Sequence, residues 1–485
     1  MQVRSAEFKP AARQKLGDQQ LYRALKGLRV RMVGGRAVAI QELDNFEEIR
    51  EAAANVRDFT LAHLDHFLEL FERNALARGA HVHWAETGQD VNRIVLEIAR
   101  ANAVRKIIKS KSMLGEESGL NHFLEAGGIE VRETDLGEYI IQEANETPSH
   151  IIAPAIHRTK EQVADLFAAR HNLPRKDDIG EMTREARDIL RPHFLTADMG
   201  ISGANFMIAE TGTTMIVTNE GNGRMTTTLP RVHVAIAGIE KVLPTLEDVA
   251  FILRLLTRSA TGQSISNYLS YTTGPKGAQD TDGPEQFHIV IVDSGRTRVL
   301  GSALREALRC IRCGACMNHC PVYQNIGGHP YGWVYPGPIG SILTPAYVGL
   351  EKAGDLPNAA TMCNQCGVVC PVKIPLPDLM RKLREQQVER KLRPFRERAA
   401  LKLWTFVASR PALYAPLTRI AARVGRWMGG SSALIHRLPG NAWTSGRDMP
   451  APRGKTFREL YAARSAQGTV YARAPSPAGT KGPHP

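Results

Sequence analysis

The sequence predicts an α/β domain with a largely parallel sheet, followed by an α-helical module that carries cysteines and by a basic, helical C-terminal segment. Three observations lead to this prediction. Short apolar runs alternate with amphipathic helices before residue 300, all seven cysteines lie in one later stretch, and basic residues accumulate after it. We expect four segments, namely a helical N-terminal segment, the α/β domain, the cysteine-bearing domain and a basic domain with a disordered tail, at residues 1–58, 59–300, 301–380 and 381–485.

Helical periodicity is clearest in three stretches of the predicted α/β domain. Apolar side chains at helical spacing predict helices over Phe59–Ala77, Asp90–Ala101 and Leu246–Ala260. The polar stretch that precedes them, residues 1–55, is also predicted to be helical, with a turn at Gly34–Gly35.

β-Branched and apolar runs predict the strands between these helices, after a short apolar segment at His81–Trp84. The predicted strands are Lys106–Ser110, Ile129–Leu136, His150–Ile156, Ala204–Ile208, Thr213–Thr218, Val232–Gly238 and His288–Val292. Because short strands alternate with helices, a layered α/β architecture is expected. Beyond the cysteines, Arg381–Leu403 predicts a basic helix, followed by interrupted helical pieces.

Composition excludes several classes of protein. No run of eighteen apolar residues is present, and the first residues lack an apolar signal segment, so we expect a cytoplasmic protein that is not integral to the membrane. The net charge of +13 is localised, because residues 381–485 hold 21 Lys and Arg against 5 Asp and Glu. An odd number of cysteines, confined to one stretch, argues against a disulfide framework and favours a metal site.

The first group of cysteines has the spacing C-x2-C-x2-C-x3-C-P, which is typical of bacterial ferredoxins. It consists of Cys310, Cys313, Cys316 and Cys320, followed by Pro321. In this arrangement the first three cysteines bind one [4Fe–4S] cluster and the fourth binds a second cluster. The two-residue gaps allow a tight loop to place three thiolates at three corners of a cube.

The second group matches the last three cysteines of another copy of this motif. Ala360 occupies the place of the missing first cysteine. The crossover rule predicts one cluster on Cys310, Cys313, Cys316 and Cys370, and another on Cys320, Cys363 and Cys366. A zinc module is the alternative, but zinc needs only four ligands and this arrangement supplies seven.

The incomplete set leaves the identity of the second cluster open. It could be a [3Fe–4S] cluster, or a [4Fe–4S] cluster whose fourth ligand is water, another oxygen or a histidine. His319 and His329 are near in sequence, although loop histidines usually only form hydrogen bonds. Between the two groups, Tyr331, Trp333 and Tyr335 are expected to exclude solvent and so to tune the reduction potential.

The segment GGHPYGWVYPGPIGSIL between the two cysteine groups closely resembles bacterial lactate-utilisation protein B. The resemblance covers nearly the whole chain. Residues 60–300, including Ala209–Thr213, resemble the lactate-utilisation (LUD) domain, whose fold is similar to that of the sugar-isomerase and CoA-transferase superfamily. The basic segment resembles the C-terminal extension of this family, and the family shares the seven-cysteine pattern.

The resemblance implies an iron–sulfur electron-transfer protein that acts in the oxidation of L-lactate to pyruvate and so allows lactate to serve as a carbon source. It also implies two partners, a second iron–sulfur subunit of the Cys-Cys-Gly domain type and a small protein with another LUD domain. No G-x-G-x-x-G follows a predicted strand, so hydride chemistry is expected to begin elsewhere in the complex.

Two other classes of function are considered. The LUD domain could be a CoA-transferase-like enzyme, with Glu210 or Glu220 as a carboxylate nucleophile and the iron–sulfur module as an accessory. The basic segment could bind nucleic acid, but it contains no recognition motif. Docking to an acidic partner subunit, or peripheral contact with a membrane, is the preferred interpretation of that segment.

Overall fold

The computed structural model describes residues 2–266, 268–438, 444 and 446–466. The chain divides into two compact units, Met1–Leu392 and Arg393–Pro485. The disordered tail that the composition predicts at the last dozen residues lies outside the described residues.

The first unit is built around ten strands. They are β1 His81–Ala85, β2 Lys106–Lys109, β3 Glu130–Glu133, β4 Met199–Gly203, β5 Phe206–Ile208, β6 Thr213–Thr218, β7 Val232–Gly238, β8 Val242–Leu243, β9 Tyr268–Thr272 and β10 Gln286–Val292. Six of them form one sheet in the order β1-β10-β7-β4-β2-β3, and every neighbouring pair in it is parallel. This confirms the predicted parallel sheet.

Position in the sheet explains the composition of its strands. All seven residues of β7 are buried, because β7 lies between β10 and β4 and both of its faces are covered. The edge strand β1 is more polar and only its last residue, Ala85, is buried. A second sheet has the order β8-β5-β6-β9 and is mixed, since β5 pairs with β8 in parallel and with β6 antiparallel.

Twenty α-helices accompany these strands in the described part of the first unit. They are α1 Phe8–Leu16, α2 Gln19–Leu28, α3 Gly35–Gln41, α4 Phe46–Ala62, α5 Leu64–Ala77, α6 Gly88–Ala101, α7 Met113–Ser118, α8 Leu120–Ala126, α9 Leu136–Glu143, α10 Lys160–His171, α11 Ile179–Thr196, α12 Asn222–Thr228, α13 Leu246–Thr261, α14 Arg296–Leu300, α15 Ala315–Asn318, α16 Tyr323–Ile326, α17 Gly337–Val348, α18 Leu350–Ala353, α19 Gln365–Val368 and α20 Leu376–Glu389.

The predicted helix over Phe59–Ala77 is wrong in its extent. His63 leaves helical dihedral angles and separates α4 from α5. The break has a packing reason, because Ile49 and Ala53 of α4 face the core of the cysteine region, whereas Phe71 of α5 faces the core beneath the large sheet.

The predicted turn at Gly34–Gly35 and the predicted strand His150–Ile156 are also wrong. Both glycines have helical dihedral angles and connect a π-helical turn to α3. Residues 150–156 form a loop in which the amides of Ile152 and Ala153 donate to His150 Nδ1, at 2.9 and 3.0 Å. These local bonds occupy the backbone donors that a strand would need for its ladder.

One large core joins elements that are distant in the sequence. Leu25 of α2, Phe206 of β5, Leu255 of α13 and Leu379 of α20 are all buried in it, together with most of the cysteines. The cysteine region is therefore packed against the N-terminal helices and the small sheet, and it shares their hydrophobic core.

The second unit begins with two helices, α21 Phe395–Ala408 and α22 Pro411–Met428. It continues with an antiparallel pair of short strands, β11 Leu434–Ile435 and β12 Met449–Pro450, and with helix α23 Phe457–Ala466. The single helix predicted over Arg381–Leu403 is wrong, because α20 ends at Glu389 and α21 begins only after Pro394. Within the described parts of the chain, no helix is both long and apolar enough to cross a membrane.

Candidate iron–sulfur site

The two cysteine loops repeat one backbone conformation at an interval of fifty residues. Arg312 and Gly314 have φ of 60° and 74°, and their counterparts Met362 and Asn364 have φ of 58° and 62°. A short helix follows in each loop, α15 in the first and α19 in the second. The loops therefore agree with the alignment made from the cysteine spacing, in which Ala360 corresponds to Cys310.

Backbone hydrogen bonds repeat in the same way. The amide of Cys320 donates to Met317 O at 3.0 Å, and the amide of Cys370 donates to Gly367 O at 3.3 Å. Each of these cysteines lies two residues beyond the end of its short helix, α15 or α19. The two loops therefore share their hydrogen-bonding pattern as well as their dihedral angles.

Four thiols line one small, mainly apolar cavity. They are those of Cys310, Cys313, Cys316 and Cys370. Burial raises the pKa of the Cys313 thiol to about 12, with further contributions from the thiols of Cys370 and Cys310. Burial likewise raises the pKa of Cys370 to about 11.

The other three thiols influence one another. Burial raises the pKa of Cys366 to about 12, and Cys320 and then Cys363 raise it further. The pKa of Cys320 is raised by burial and by the neighbouring thiol of Cys363. Cys363 differs because it is exposed, and hydrogen bonds from Thr361 and then the backbone lower its pKa. Cys366 also raises the pKa of Cys316, so the thiols of both loops lie in one neighbourhood.

These residues fit iron–sulfur clusters in chemistry and surroundings. Apart from Arg312, the cavity of the four thiols is lined mainly by apolar residues, including Ile311, Ile339 and Val372. Backbone amides already donate to sulfur, from Arg312 to Cys310 Sγ and from Ile374 to Cys370 Sγ, both at 3.4 Å. Such bonds stabilise thiolates and tune the potential of a bound cluster. Among the described residues, no three Cys, His, Asp or Glu side chains converge on the position of a single metal ion.

Arginines from the N-terminal helices hold the second cysteine loop. Arg36 Nη2 donates to Val369 O at 2.9 Å, and Arg50 Nε donates to Cys370 O at 2.8 Å. A further bond joins Arg50 Nη2 to Val368 O at 2.9 Å. Because these carbonyls belong to the turn that ends in Cys370, the arginines hold the backbone of that turn in place.

A fully buried arginine connects the first cysteine loop to the α/β domain. Arg57 of α4 donates to Leu308 O at 2.9 Å and to Val242 O at 3.1 Å, and it also donates to the carbonyl of Glu240. Leu308 lies just before Cys310, whereas Val242 and Glu240 follow strand β7. Burial lowers the pKa of Arg57 to about 10, so the guanidinium remains charged at neutral pH.

A buried ionic network adjoins the same loop. Arg296 pairs with Glu117 at 3.0 Å and with Glu240 at 2.8 Å, and Glu240 also pairs with Arg312 at 3.3 Å. The Arg312 guanidinium stacks 4.6 Å from the centre of the Tyr335 ring, and the hydroxyl of Tyr335 donates to Glu117. The network therefore holds Arg312, which lies between two cysteines, in one position.

The linker aromatics are buried, as the sequence predicts. Tyr331, Trp333 and Tyr335 are each less than a tenth exposed. The two histidines considered as ligands bond to the backbone, His319 Nδ1 with Ala315 O and His329 Nε2 with Thr147 O, each at 2.9 Å. Their surroundings therefore account for both without a metal.

A second, larger cavity of about 610 Å³ lies at the carboxyl ends of the parallel strands. In open α/β sheets this is the edge where ligands bind. Ile151 and Arg312 line this cavity and also the cavity of the four thiols. The two cavities are thus adjacent, with these two side chains forming part of the wall between them.

The carboxylates considered as nucleophiles occupy different places. Glu210 Oε1 accepts from the amide of Leu246 at the start of α13 and does not line the large cavity. Glu220 does line it, and its Oε2 accepts from the amide of Leu136 at 3.4 Å. A helix-capping role accounts for Glu210, and no nucleophile activated by a neighbouring base is evident at either position among the described residues.

The analysis of the sequence missed the buried charges around the cysteines. Arg57 had a detectable signal, because it follows Ile49 and Ala53 and precedes Leu61 at intervals of four, on the apolar face of α4. An arginine in such a position requires buried acceptors. Arg312 gave no comparable signal, since its partners Glu240 and Tyr335 are distant in the sequence.

Comparison with known proteins adds three domain matches. Residues 68–292 match the LUD domain, residues 306–374 match the 4Fe–4S dicluster domain, and residues 378–466 match the C-terminal domain of lactate utilisation protein B. All seven cysteines lie inside the second match.

Full-length relatives give the same result. The chain is 42% identical to lactate utilization protein B of Shouchella clausii, over 96% of this chain and 99% of that protein. It is 41% identical to the protein of the same name from Geobacillus kaustophilus, over 96% and 99%. It is also 41% identical to the uncharacterized electron transport protein YkgF of Escherichia coli, over 96% and 98%. The chain therefore belongs to the lactate utilisation protein B family, with an α/β LUD domain followed by a 4Fe–4S dicluster domain.

Proposed function

We propose that this protein transfers electrons through two iron–sulfur clusters during the oxidation of L-lactate to pyruvate, which allows lactate to serve as a carbon source. The observation that carries the proposal is the pair of cysteine loops with one backbone conformation, from which four thiols line one cavity inside the match to the 4Fe–4S dicluster domain. The names of the relatives, lactate utilization protein B and electron transport protein, supply the lactate and electron-transfer parts of the proposal.

We assign one [4Fe–4S] cluster to the four thiols that line the small cavity, which are those of Cys310, Cys313, Cys316 and Cys370. The second set is Cys320, Cys363 and Cys366, and it holds either a [3Fe–4S] cluster or a [4Fe–4S] cluster with a fourth ligand other than cysteine. Bound clusters of these kinds supply one-electron transfer.

The chain itself keeps the first set dry and positions it. Cys313, Cys316 and Cys370 are buried, and Arg36 and Arg50 hold the loop that contains the last of them. The second set lies closer to solvent, because Cys363 is exposed. This difference suits a route in which electrons exchange with a partner at the second set, while the first set is reached from inside the α/β domain.

The crossover assignment is tested by two variants, Cys320→Ala and Cys370→Ala. After anaerobic reconstitution, iron and sulfide are counted and EPR spectra are recorded. Cys320→Ala should keep the first cluster and damage the second, whereas Cys370→Ala should damage the first and keep the second. The opposite pattern would mean that each cluster is bound within one loop. Zinc without labile sulfide in the wild-type protein would exclude iron–sulfur chemistry altogether.

A test of the role in lactate oxidation requires this protein together with its proposed partner subunits. We propose that the partners are the second iron–sulfur subunit of the Cys-Cys-Gly domain type and the small LUD-domain protein. With both present, L-lactate should reduce the clusters of this chain under anaerobic conditions, as followed by EPR. Without them, no reduction is expected. Reduction by another donor but never by L-lactate would place this protein in a different pathway.

The second unit offers a surface for a partner. Its helices α21 and α22 expose large apolar side chains, among them Leu403, Trp404, Ile420 and Trp427, each more than half exposed. Residues 381–485 also carry most of the net positive charge. An exposed apolar patch with basic residues suits an acidic partner subunit.

The docking proposal is tested with the double variant Trp404→Ser/Trp427→Ser. Its ability to retain the partner subunits in a pulldown should fall strongly. Trp84→Ser, which alters an exposed tryptophan on β1, is the matched control and should retain them. Equal retention by both variants would remove the second unit from the interface.

A further inference from the structure

The large cavity at the carboxyl ends of the parallel strands has no role in the electron transfer proposed above. It opens where β2, β3, β4 and β7 end, and it is lined by Lys111, Asp135, Asn205 and Lys241 from the segments that follow these strands. Its volume of about 610 Å³ is in the range of pockets for organic ligands. Apolar side chains, such as Ile152, supply much of the remaining wall.

Two cationic side chains of this cavity have nitrogen atoms without a hydrogen-bond partner among the described residues. Lys241 is 9% exposed and forms no hydrogen bond or ion pair with any other residue that the structure describes. Arg312 is equally buried, and its Nη1 has no hydrogen-bond partner among those residues. A buried cation without an acceptor is costly, so the geometry favours an anion beside both groups.

The acidic groups of the cavity are already occupied. Glu240 pairs with Arg296 and Arg312. Asp135 accepts from the amides at the start of α9, and Glu220 accepts from the amide of Leu136. None of these hydrogen bonds and ion pairs involves Lys241, which Glu240 influences electrostatically without a direct contact.

The other cationic groups of the cavity have partners or lie at its edge. Lys111 Nζ donates to Ile152 O at 2.6 Å, and Arg296 is held by Glu117 and Glu240. Arg31 is exposed. Lys241 and the Nη1 group of Arg312 are therefore the donors left for an anion, on the side of the cavity that adjoins the four thiols.

We propose that this cavity binds an organic anion, whose carboxylate or phosphate contacts Lys241 and Arg312 and whose uncharged part fills the apolar remainder. The proposal rests on the proposed function, because it gives the ligand a place one side chain from the first set of cysteines, where Arg312 and Ile151 line both cavities. A three-carbon acid would occupy the charged end, whereas a ring-bearing phosphate such as a flavin nucleotide would fill more of the volume.

The test measures binding to the full-length, cluster-loaded protein by isothermal titration calorimetry. The probes are L-lactate, pyruvate and flavin mononucleotide, each titrated separately. The variants are Lys241→Met, which removes one charge with little change in volume, and Lys352→Met, which alters an exposed lysine outside the cavity. Iron and sulfide contents are compared in all samples. The EPR spectrum of the reduced first cluster is recorded with and without each probe.

We expect at least one probe to bind with one equivalent, Lys241→Met to weaken it at least tenfold, and Lys352→Met to leave it within twofold. The bound probe should also alter the EPR spectrum of the first cluster. If only L-lactate or pyruvate binds, the ligand is a small organic acid. If only flavin mononucleotide binds, the ligand is a larger electron carrier. Either result supports the proposal.

Two results would overturn it. One is the absence of binding by all three probes to protein with a full iron content. The other is unchanged binding by Lys241→Met, particularly if that variant shifts the potential of the first cluster, since Lys241 would then serve only to balance the charge of the cysteine set. Failure of the proposed electron transfer is distinguishable, because it would appear as missing iron and sulfide before any titration.

Discussion

Replacing Arg57 with methionine is the most informative single change for the architecture of the site. Its guanidinium is 1% exposed and donates to three carbonyls, of Leu308, Val242 and Glu240. Methionine fills a similar volume but leaves these acceptors without a donor. The first cysteine loop would lose its connection to both α4 and the end of β7.

The expected change in the free energy of unfolding is the balance of two opposing effects. Each hydrogen bond from a charged group contributes about 1.5–3 kcal/mol, so three could amount to roughly 6 kcal/mol. Removing a buried charge recovers several kcal/mol of desolvation free energy. We expect a net loss of about 3 kcal/mol in the free energy of unfolding. Arg57→Lys should lose less than methionine, because one ammonium keeps the charge but cannot reach all three carbonyls in the same geometry.

Urea unfolding of the first unit, followed by circular dichroism and cluster absorbance, measures this loss. With a slope of about 3 kcal/mol per molar urea, the midpoint should fall by roughly 1 M. The matched control is Arg93→Met on α6, where the side chain is 57% exposed and pairs with Glu97. That change should leave the midpoint close to that of the wild type, because solvent screens an exposed ion pair. An Arg57→Met midpoint as close to wild type as that of the control would refute the reasoning.

Three further predictions concern other parts of the chain. Gly328→Ala should destabilise the protein, because a Cβ there would lie 1.8 Å from the carbonyl oxygen of Ser149; Gly27→Ala has no atom within 4 Å and should not, as thermal melts will tell. Burial lowers the pKa of His233 to about 3, so its contribution to stability is present above pH 6.5 and lost as the pH falls toward 3. His233→Phe should therefore reduce the slope of unfolding free energy against pH by up to about 1.4 kcal/mol per unit near pH 5; an unchanged slope would contradict this. Ala360→Cys should complete the second cysteine set, so that any [3Fe–4S] EPR signal of the oxidised protein disappears; persistence of that signal would show that position 360 does not face the cluster.

The parallel sheet and the cysteine loops could be predicted because their signals are local. The alternation of apolar runs and amphipathic helices predicted the sheet. Strand β7 has the bounds that its apolar run predicts, and all of its residues are buried. The break at His63 could not be predicted, since the helical periodicity continues through it. Only the two separate cores that α4 and α5 face require the chain to turn there.

The sequence by itself determined the residues that can bind iron, because the spacing of cysteines along a tight loop decides which thiolates can reach one cube. It also determined the vacancy at Ala360. The tertiary structure alone decided what surrounds these thiols. Arg57, Lys241 and Arg312 come from three separate segments, and their proximity depends on how α4, the end of β7 and the first cysteine loop pack. Charge balance in a buried site depends on distances in space, which residue spacing along the chain does not encode.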